Sequence, residues 1–160
     1  MIKDCEIVFN SISDPIMILD LNNEILEANN ATVSACKLPY KELIGKKCHD
    51  IFHCLDHPPT GCPNEKLKMS KTPETNDMVI EALNGTFMVT VAPILNTQGE
   101  MVKSVHISHD ISKRKKMESE LNTRVEAVEE LNRLFVNREL NMIELKKEIE
   151  ELKKRQKVEE

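Results

Sequence analysis

Aromatic residues are scarce in this chain: there is no Trp, one Tyr and four Phe in 160 residues. A packed core is still possible, because 40% of the residues are hydrophobic and 31% are charged. That core must then be built from Ile, Leu, Val and Met. The length leaves room for one domain of ordinary size and an extension.

The chain also lacks a hydrophobic run of membrane-spanning length, and its N-terminus lacks the apolar segment of a signal peptide. These absences predict a cytoplasmic protein that makes no membrane contact. In a reducing compartment its five cysteines are better explained as metal ligands, redox thiols or core residues than as structural disulfides. No Cys-x-x-Cys pair occurs, which excludes zinc-finger, thioredoxin-like and c-type haem attachment motifs.

The chain also has no excess of basic residues. The part before Ile111 has nine Lys or Arg against 15 Asp or Glu, and the remainder has 13 against 12. We therefore expect no nucleic-acid-binding surface.

Catalytic patterns are absent too, since no paired acids, nucleophile–base arrangement or glycine-rich nucleotide loop can be recognised. No histidine follows His109. The chain is therefore not a histidine kinase by itself, although it could be part of one or its partner. We predict that it is not an enzyme.

Hydrophobic periodicity predicts two strands, several small helices and then three antiparallel strands, which together form an α+β domain. An amphipathic helix is expected within residues 1–13 and a sensor domain over residues 14–111. Asn29-Asn30 is predicted to start a helix, since Asn is a good N-cap. Asn84-Gly85 predicts a hairpin turn, because both residues tolerate the left-handed backbone that such turns need.

The last predicted strand leads into a charged segment of helical pattern, with no turn residue between the two. One face of this strand is expected to carry Val102, Ser104, His106 and Ser108. Asp110 or Ser112 can cap the following helix by accepting from its free N–H groups. A strand joined directly to a helix couples the two mechanically. The predicted signalling junction consists of Asp110, Ile111, Ser112 and Arg114.

Several short motifs, taken in order, resemble the PAS family. They are Asp14-Pro15, Asp20 with Asn22-Asn23, Ala28 to Ala31, Leu43 to Lys46, Asn84-Gly85, Pro93, and the ending His109 to Lys115. The resemblance covers roughly residues 2–117, and it depends on order and spacing rather than on any single motif. It implies a five-stranded antiparallel sheet with small helices on one face, enclosing a pocket that senses a ligand, a redox state or a partner. The ending is similar to the element with which PAS domains of sensor kinases pass into a signalling helix.

Residues 112–157 are predicted to form a long helix with a heptad repeat, interrupted only at Arg124 and Arg138. A register held over this length favours a left-handed coiled coil, because a lone helix would lack a partner for its apolar face. The alternative is a helix that folds back on the sensor, which Leu134 and Leu140 outside the seam would allow. The predicted dimer seam consists of Met117, Leu121, Val128, Leu131, Phe135, Met142, Leu145, Ile149 and Leu152. We expect a homodimer through this helix and a signalling partner, either a kinase or a regulator.

Cysteine and histidine are concentrated in one short segment that is expected to be a loop. Its members are Cys48, His49, His53, Cys54, His57 and Cys62. Thiolate and imidazole are ligands of zinc, haem iron and iron–sulfur clusters. Lys47-Cys48, His53 and Cys62-Pro63 also resemble a subset of PAS domains with a loop of this kind. The predicted metal ligands are Cys48, His53 and Cys62, and the predicted cofactor-binding set adds Cys54 and His57.

Two functions from different classes are consistent with these patterns. The first is a PAS-type sensor that detects a ligand or redox signal and relays it through a dimeric coiled coil to a partner. The second is a redox or gas-binding protein in which the segment between Cys48 and Cys62 holds haem, a metal or an iron–sulfur cluster. A structural role is the alternative to both, with Cys48 as a small buried hydrophobe. His106 could face the pocket but is expected to be an ordinary sheet histidine.

Overall fold

The structure, a computed structural model, describes residues 2–156 and the side chains of residues 4–150. Met1 and Lys157, at the ends of two predicted segments, and the side chain of Leu152 lie outside the described residues. The helices are α1 (Ile2–Ser11), α2 (Asn30–Cys36), α3 (Tyr40–Leu43), α4 (Cys48–His53), α5 (Pro63–Ser70) and α6 (Ser112–Gln156). The strands are β1 (Ile16–Leu19), β2 (Ile25–Ala28), β3 (Glu74–Ile80), β4 (Gly85–Leu95) and β5 (Met101–Asp110).

The strands form one five-stranded antiparallel sheet in the order β2-β1-β5-β4-β3. The last strand therefore lies at the centre, where β1 pairs with it through Met17 and His106, and β4 through Val89 and Ser108. The α+β fold predicted from the sequence, with its five-stranded sheet and long C-terminal helix, is confirmed.

The core lies on the face of the sheet that the small helices cover. Met17 and Leu19 of β1, with Val89 and Val91 of β4, pack there against side chains of the helices. Leu43 of α3, Phe52 of α4 and Leu67 of α5 are the buried helical members of this cluster. An apolar core without Trp or Tyr agrees with the composition.

Two polar side chains fix the turns around β1 and β2. The carboxylate of Asp20 accepts from the backbone N–H groups of Asn22 and Glu24, both at 2.8 Å, which closes the turn between the strands. The amide oxygen of Asn29 accepts from the N–H of Thr32 at 2.9 Å, so Asn29 caps α2 as predicted.

Three small helices end at a residue that is not glycine but has the left-handed conformation. These residues are Lys37 after α2, Cys54 after α4 and Lys71 after α5, with φ of 55°, 52° and 57°. Left-handed termini reverse the chain abruptly, because they end the helical hydrogen-bond pattern. They keep each helix short, so that several helices fit over one face of the sheet.

Two local expectations from the sequence were wrong. The cysteine- and histidine-rich segment, expected to be a loop, begins with the helix α4. The third strand ends at Ile80, and a short 3-10 helix over Glu81–Leu83 follows it. Asn84, with φ of 50°, then leads into β4, so the turn is longer than the two-residue hairpin that Asn84-Gly85 predicted.

The chain divides into two compact units, one that ends at Lys115 and one that begins at Lys116. The helix α6 begins in the first unit and supplies the second. None of the described helices combines the length and the apolar character that crossing a bilayer requires.

Candidate functional site

A small cavity lies between the inner face of the sheet and the segment that contains α4 and the start of α5. Its volume is about 30 Å³. Its walls come from α4 and α5, from the segment between them, and from four strands. The lining residues are Met17, Cys48, His49, Phe52, His53, Pro58, Pro59, Cys62, Pro63, Met78, Ile80, Val89, His106 and Ser108.

The helix α4 contributes side chains from two successive turns to the cavity. Cys48 and Phe52 are four residues apart and therefore share one face, and His49 and His53 form the adjacent row. The N–H of Cys48 donates to the carbonyl of Asn23 at 2.9 Å, which attaches the first turn to the β1–β2 connection. The cavity wall is therefore fixed at the N-terminus of α4.

The connection from α4 to α5 closes another side of the cavity. Pro58 and Pro59 line it, and Gly61 has a φ of 81°, a left-handed conformation that favours glycine. The side-chain amide of Asn76 on β3 donates to the carbonyl of Gly61 at 3.0 Å. This bond holds the connection against the edge strand and so positions Cys62.

The inner face of β5 is polar where it meets the cavity. Ser104, His106 and Ser108 are buried, whereas the alternate residues Val105 and Ile107 are half-buried on the other face. The alternation was predicted correctly, but the polar face lies inward. His106 therefore lines the cavity from the central strand, and the expectation of an ordinary sheet histidine missed this position.

Burial sets the charge of two groups in this cavity. It lowers the pKa of His106 to about 3, and the cationic Lys68 adds to this effect, so the imidazole is neutral at physiological pH. Burial raises the pKa of the Cys48 thiol to about 12, with a further contribution from Cys62. A buried thiol of this kind stays protonated and reacts slowly with oxidants.

Two imidazole nitrogens in the cavity wall have no hydrogen-bond partner among the described residues. They are Nδ1 of His49 and Nε2 of His106. The two residues are only 6% and 5% exposed. Buried polar atoms without a partner are unfavourable, so a group that bonds to them would stabilise the protein.

The predicted cofactor ligands are only partly brought together. Cys48, His53 and Cys62 line the same cavity, and Nδ1 of His53 also lies 3.2 Å from Oε2 of Glu81. Cys54 is exposed, and the side chain of His57 is 71% exposed and pairs with Asp56. Neither of these two residues lines the cavity, whereas His49 and His106, which were not among the predicted ligands, do.

The described side chains and the volume of the cavity do not match what the expected cofactors require in this conformation. Across the residues with described side chains, no three Cys, His, Asp or Glu side chains are grouped so that they could hold a metal ion. Pockets for organic ligands typically measure about 300–1,000 Å³. A cavity of about 30 Å³ is therefore too small for haem in this conformation. The prediction of ligands at Cys48, His53 and Cys62 stays a prediction.

The predicted signalling junction is attached to the start of β4. Ile111 is buried, and its N–H donates to the carbonyl of Thr86 at 2.9 Å. The N–H of Thr86 donates in turn to Oγ of Ser112 at 2.9 Å. Asp110 accepts from the N–H of Ser112 at 2.8 Å, and this bond lowers the pKa of Asp110.

Asp110 therefore satisfies a free N–H group at the start of α6, while the Ser112 hydroxyl bonds to the sheet. Gly85 makes this contact possible, because a Cβ at that position would lie 2.7 Å from Oγ of Ser112. Lys115 forms an ion pair with Asp77 of β3 at 2.8 Å, and the remaining predicted junction residue, Arg114, is exposed.

The comparisons with known proteins agree with this architecture. A family model described as a PAS domain matches residues 13–113. The PAS domain of a Colwellia psychrerythraea protein is similar at 18% identity and a TM-score of 0.57, over 70% of this chain and 98% of that one. The PAS domain of nitrogen regulation protein NR(II) from Vibrio parahaemolyticus has 17% identity and a TM-score of 0.55, over 67% of this chain and 97% of that one.

An RNA-binding light-oxygen-voltage receptor has a TM-score of 0.67 at 13% identity, over 79% of this chain. The aligned part spans only 38% of the receptor's own length. No curated protein sequence matches the chain significantly.

Proposed function

The chain belongs to the PAS domain family, and from that premise we propose that it detects a ligand in the cavity beside His106 and relays the signal through β5 and α6 to a partner protein. PAS domains are general sensory and signal-transduction modules. One of the structural relatives is the PAS domain of a nitrogen regulation protein. This similarity suggests a two-component system, with a kinase or a regulator as the partner.

The observation that carries this proposal is the position of β5. The strand supplies His106 and Ser108 to the cavity wall, and it reaches the junction only two residues later. A ligand that bonds to His106 therefore acts on the same strand that determines where Ile111 and Ser112 attach to Thr86. A ligand shifts an equilibrium only by its difference in affinity for the two states. A ligand bonded to His106 would have that difference if β5 is displaced between the two states.

A second part of the proposal is that the chain acts as a homodimer through α6. The apolar heptad positions from Met117 to Ile149 follow one side of the helix, interrupted only at Arg124 and Arg138, and their side chains are about half exposed in the single chain. Two such rows from two copies would bury each other as a coiled coil. A small rotation at the junction would then change the register or angle between the two helices.

The proposal assigns relay rather than catalysis to this chain, and a cytoplasmic location. The alternative, a haem, metal or iron–sulfur protein centred on residues 48–62, has no specific observation in its favour. An absorption spectrum of the purified protein separates the two functions. A Soret or iron–sulfur band would support the alternative, and a visible region without bands would support the sensor.

Hydrogen exchange measured by mass spectrometry tests the relay directly. Val89→Phe introduces a ring into the cavity, and Thr90→Phe introduces the same ring on the opposite face of the same strand. We expect Val89→Phe to change the exchange of backbone amides in the segment from Asp110 to Lys116, relative to amides of the sheet core. Thr90→Phe should leave that segment as in the unmodified protein.

Equal exchange at the junction in both variants and in the unmodified protein would contradict the relay. Each variant should be compared at equal global stability, adjusted with urea, because overpacking of a core destabilises the whole domain.

A further inference from the structure

We infer that the cavity binds a small uncharged molecule of about two to four non-hydrogen atoms, which forms hydrogen bonds with His106 and His49. This inference builds on the proposed sensory function and names the chemical class of its ligand. Three independent properties of the cavity support it: its size, its two unpartnered nitrogens and its lack of net charge.

The size of the cavity limits the ligand to a few atoms. A cavity needs an occupied volume of roughly 10–15 Å³ to hold one water molecule. A cavity of about 30 Å³ therefore has room for only a few non-hydrogen atoms. Flavins, haem and aromatic metabolites are too large unless the whole wall between α4 and α5 moves.

The polar atoms of the cavity specify hydrogen bonding. Nδ1 of His49 and Nε2 of His106 come from opposite walls, one on a helix and one on the central strand. The surfaces between them are apolar and include Met17, Phe52 and Val89. A ligand that bonds to both nitrogens satisfies two buried polar atoms at once, which a purely apolar molecule cannot do. A neutral imidazole offers one donor and one acceptor, so the ligand needs a matching group.

The charges around the cavity argue against an ionic ligand. The imidazole of His106 is neutral, and the thiol of Cys48 is protonated. Lys68 is paired with Glu65 at 2.7 Å, and the carboxylates of Glu81 and Asp50 lie 3.2 Å and 3.8 Å from the imidazoles of His53 and His49. An anion in the cavity would therefore lose its hydration without gaining a free counter-charge. A metal ion would also require ligands that are deprotonated and grouped.

Titrations with matched small probes test this inference in the full-length protein. Formamide has three non-hydrogen atoms and is neutral, formate has the same number of atoms and is charged, and benzamide carries the same amide on a much larger body. The readout is the ¹⁵N chemical shift of the His49 and His106 side chains. We expect a saturable shift with formamide alone. The dissociation constant should be millimolar, because the affinity available per atom limits so small a ligand.

Two variants locate the response. His106→Phe removes the nitrogen and keeps a ring of similar size, and Val89→Ile fills the cavity with one additional methyl group. Both should abolish the saturable shift at His49. His57→Phe, which changes an exposed residue outside the cavity, should retain it. If His106→Phe does not fold, Val89→Ile still provides the test.

Several results would overturn the inference. If formamide gives no saturable shift, the cavity holds water only. An equal response to formate or to benzamide would contradict the ligand class. Stoichiometric binding of Zn²⁺ or haem that depends on His106 would also contradict it. Failure here is distinguishable from failure of the relay. If Val89→Phe still changes exchange at the junction while formamide does not bind, the relay stands and the ligand class is wrong.

Discussion

The unit that ends at Lys115 and the helix beyond it differ in where their large hydrophobic side chains lie. In the first unit Leu19, Ile25, Leu43 and Leu67 are fully buried. In α6 the large hydrophobic side chains from Met117 to Ile149 are 47–60% exposed. The first unit completes its core within one chain, whereas the helix presents an apolar row that has no such core.

This difference shows that two kinds of sequence pattern lead to two kinds of burial. Alternation with period two and short apolar runs predict burial inside a domain. A seven-residue repeat predicts burial between chains, because only a second helix can cover a seam of that length. The following predictions test whether the comparison holds, in order of decreasing expected effect.

The largest effect is expected at the seam of α6. Leu131→Asp places a charge at a core position of the proposed coiled coil and should convert a dimer into a monomer. The matched control is Leu140→Asp, the same substitution at a position outside the seam with the same exposure of 54%. Light scattering coupled to gel filtration measures the mass of each variant.

A monomeric unmodified protein at tens of micromolar, or dissociation by Leu140→Asp to the same extent, would mean that the seam is not the interface. The helix would then bury its apolar side chains in some other way.

The next effect concerns the buried imidazole in the first unit. The pKa of His106 falls from its usual 6.5 to about 3 in the folded protein, so the unfolded chain binds a proton more readily. The contribution of the neutral imidazole to the free energy of unfolding is therefore fully present above pH 6.5 and is lost as the pH falls towards 3. Between pH 7 and pH 4.5 this loss amounts to roughly 2–3 kcal/mol.

His106→Phe should lose that much less stability between the two pH values than the unmodified protein, measured by urea unfolding. His57→Phe, at an exposed position, should retain the full loss. If His106→Phe and the unmodified protein lose equal stability on acidification, then His106 is not held neutral in the folded protein.

The smallest effect is expected at the junction, where the two parts of the comparison meet. Gly85→Ala forces a Cβ to within 2.7 Å of Oγ of Ser112 and 3.0 Å of the Phe87 ring, and should cost about 1–3 kcal/mol. Ser112→Ala removes the hydroxyl that accepts from Thr86 and should cost about 1 kcal/mol.

In the double variant the clash with the hydroxyl is absent. Its measured loss of stability should therefore be smaller than the sum of the losses of the two single variants. Thermal or urea unfolding of the four proteins gives the coupling. Additive costs would show that Gly85 is not required for the approach of Ser112.

Most of the fold could be predicted because its signals are local. Asp20 and Asn29 act through hydrogen bonds within a few residues, and their roles as a turn residue and a cap follow from residue type. The alternation in β5 likewise predicted the strand and the two sets of residues on its faces. The heptad predicted the extent of the helix that begins at Ser112.

The cavity could not be predicted to the same degree, since its members meet only in the folded chain. Apolar residues usually face the core, so the polar set with His106 and Ser108 would have been placed outward by that rule. The concentration of cysteine and histidine pointed to the segment that lines the cavity, but Cys54 and His57 lie outside the cavity and His49 lines it. Cys54 lies outside the cavity because α4 ends there in a left-handed turn, and a helix end of this kind is hard to locate without a glycine.

The left-handed helix ends also have a practical consequence for anyone who produces or engineers this protein. Lys37 and Lys71 are exposed, and neither lines the cavity. A side chain in the left-handed region costs about 1–2 kcal/mol relative to glycine, although glycine also increases the entropy of the unfolded chain. Glycine at these two positions is therefore a route to higher thermal tolerance that leaves the residues of the cavity unchanged.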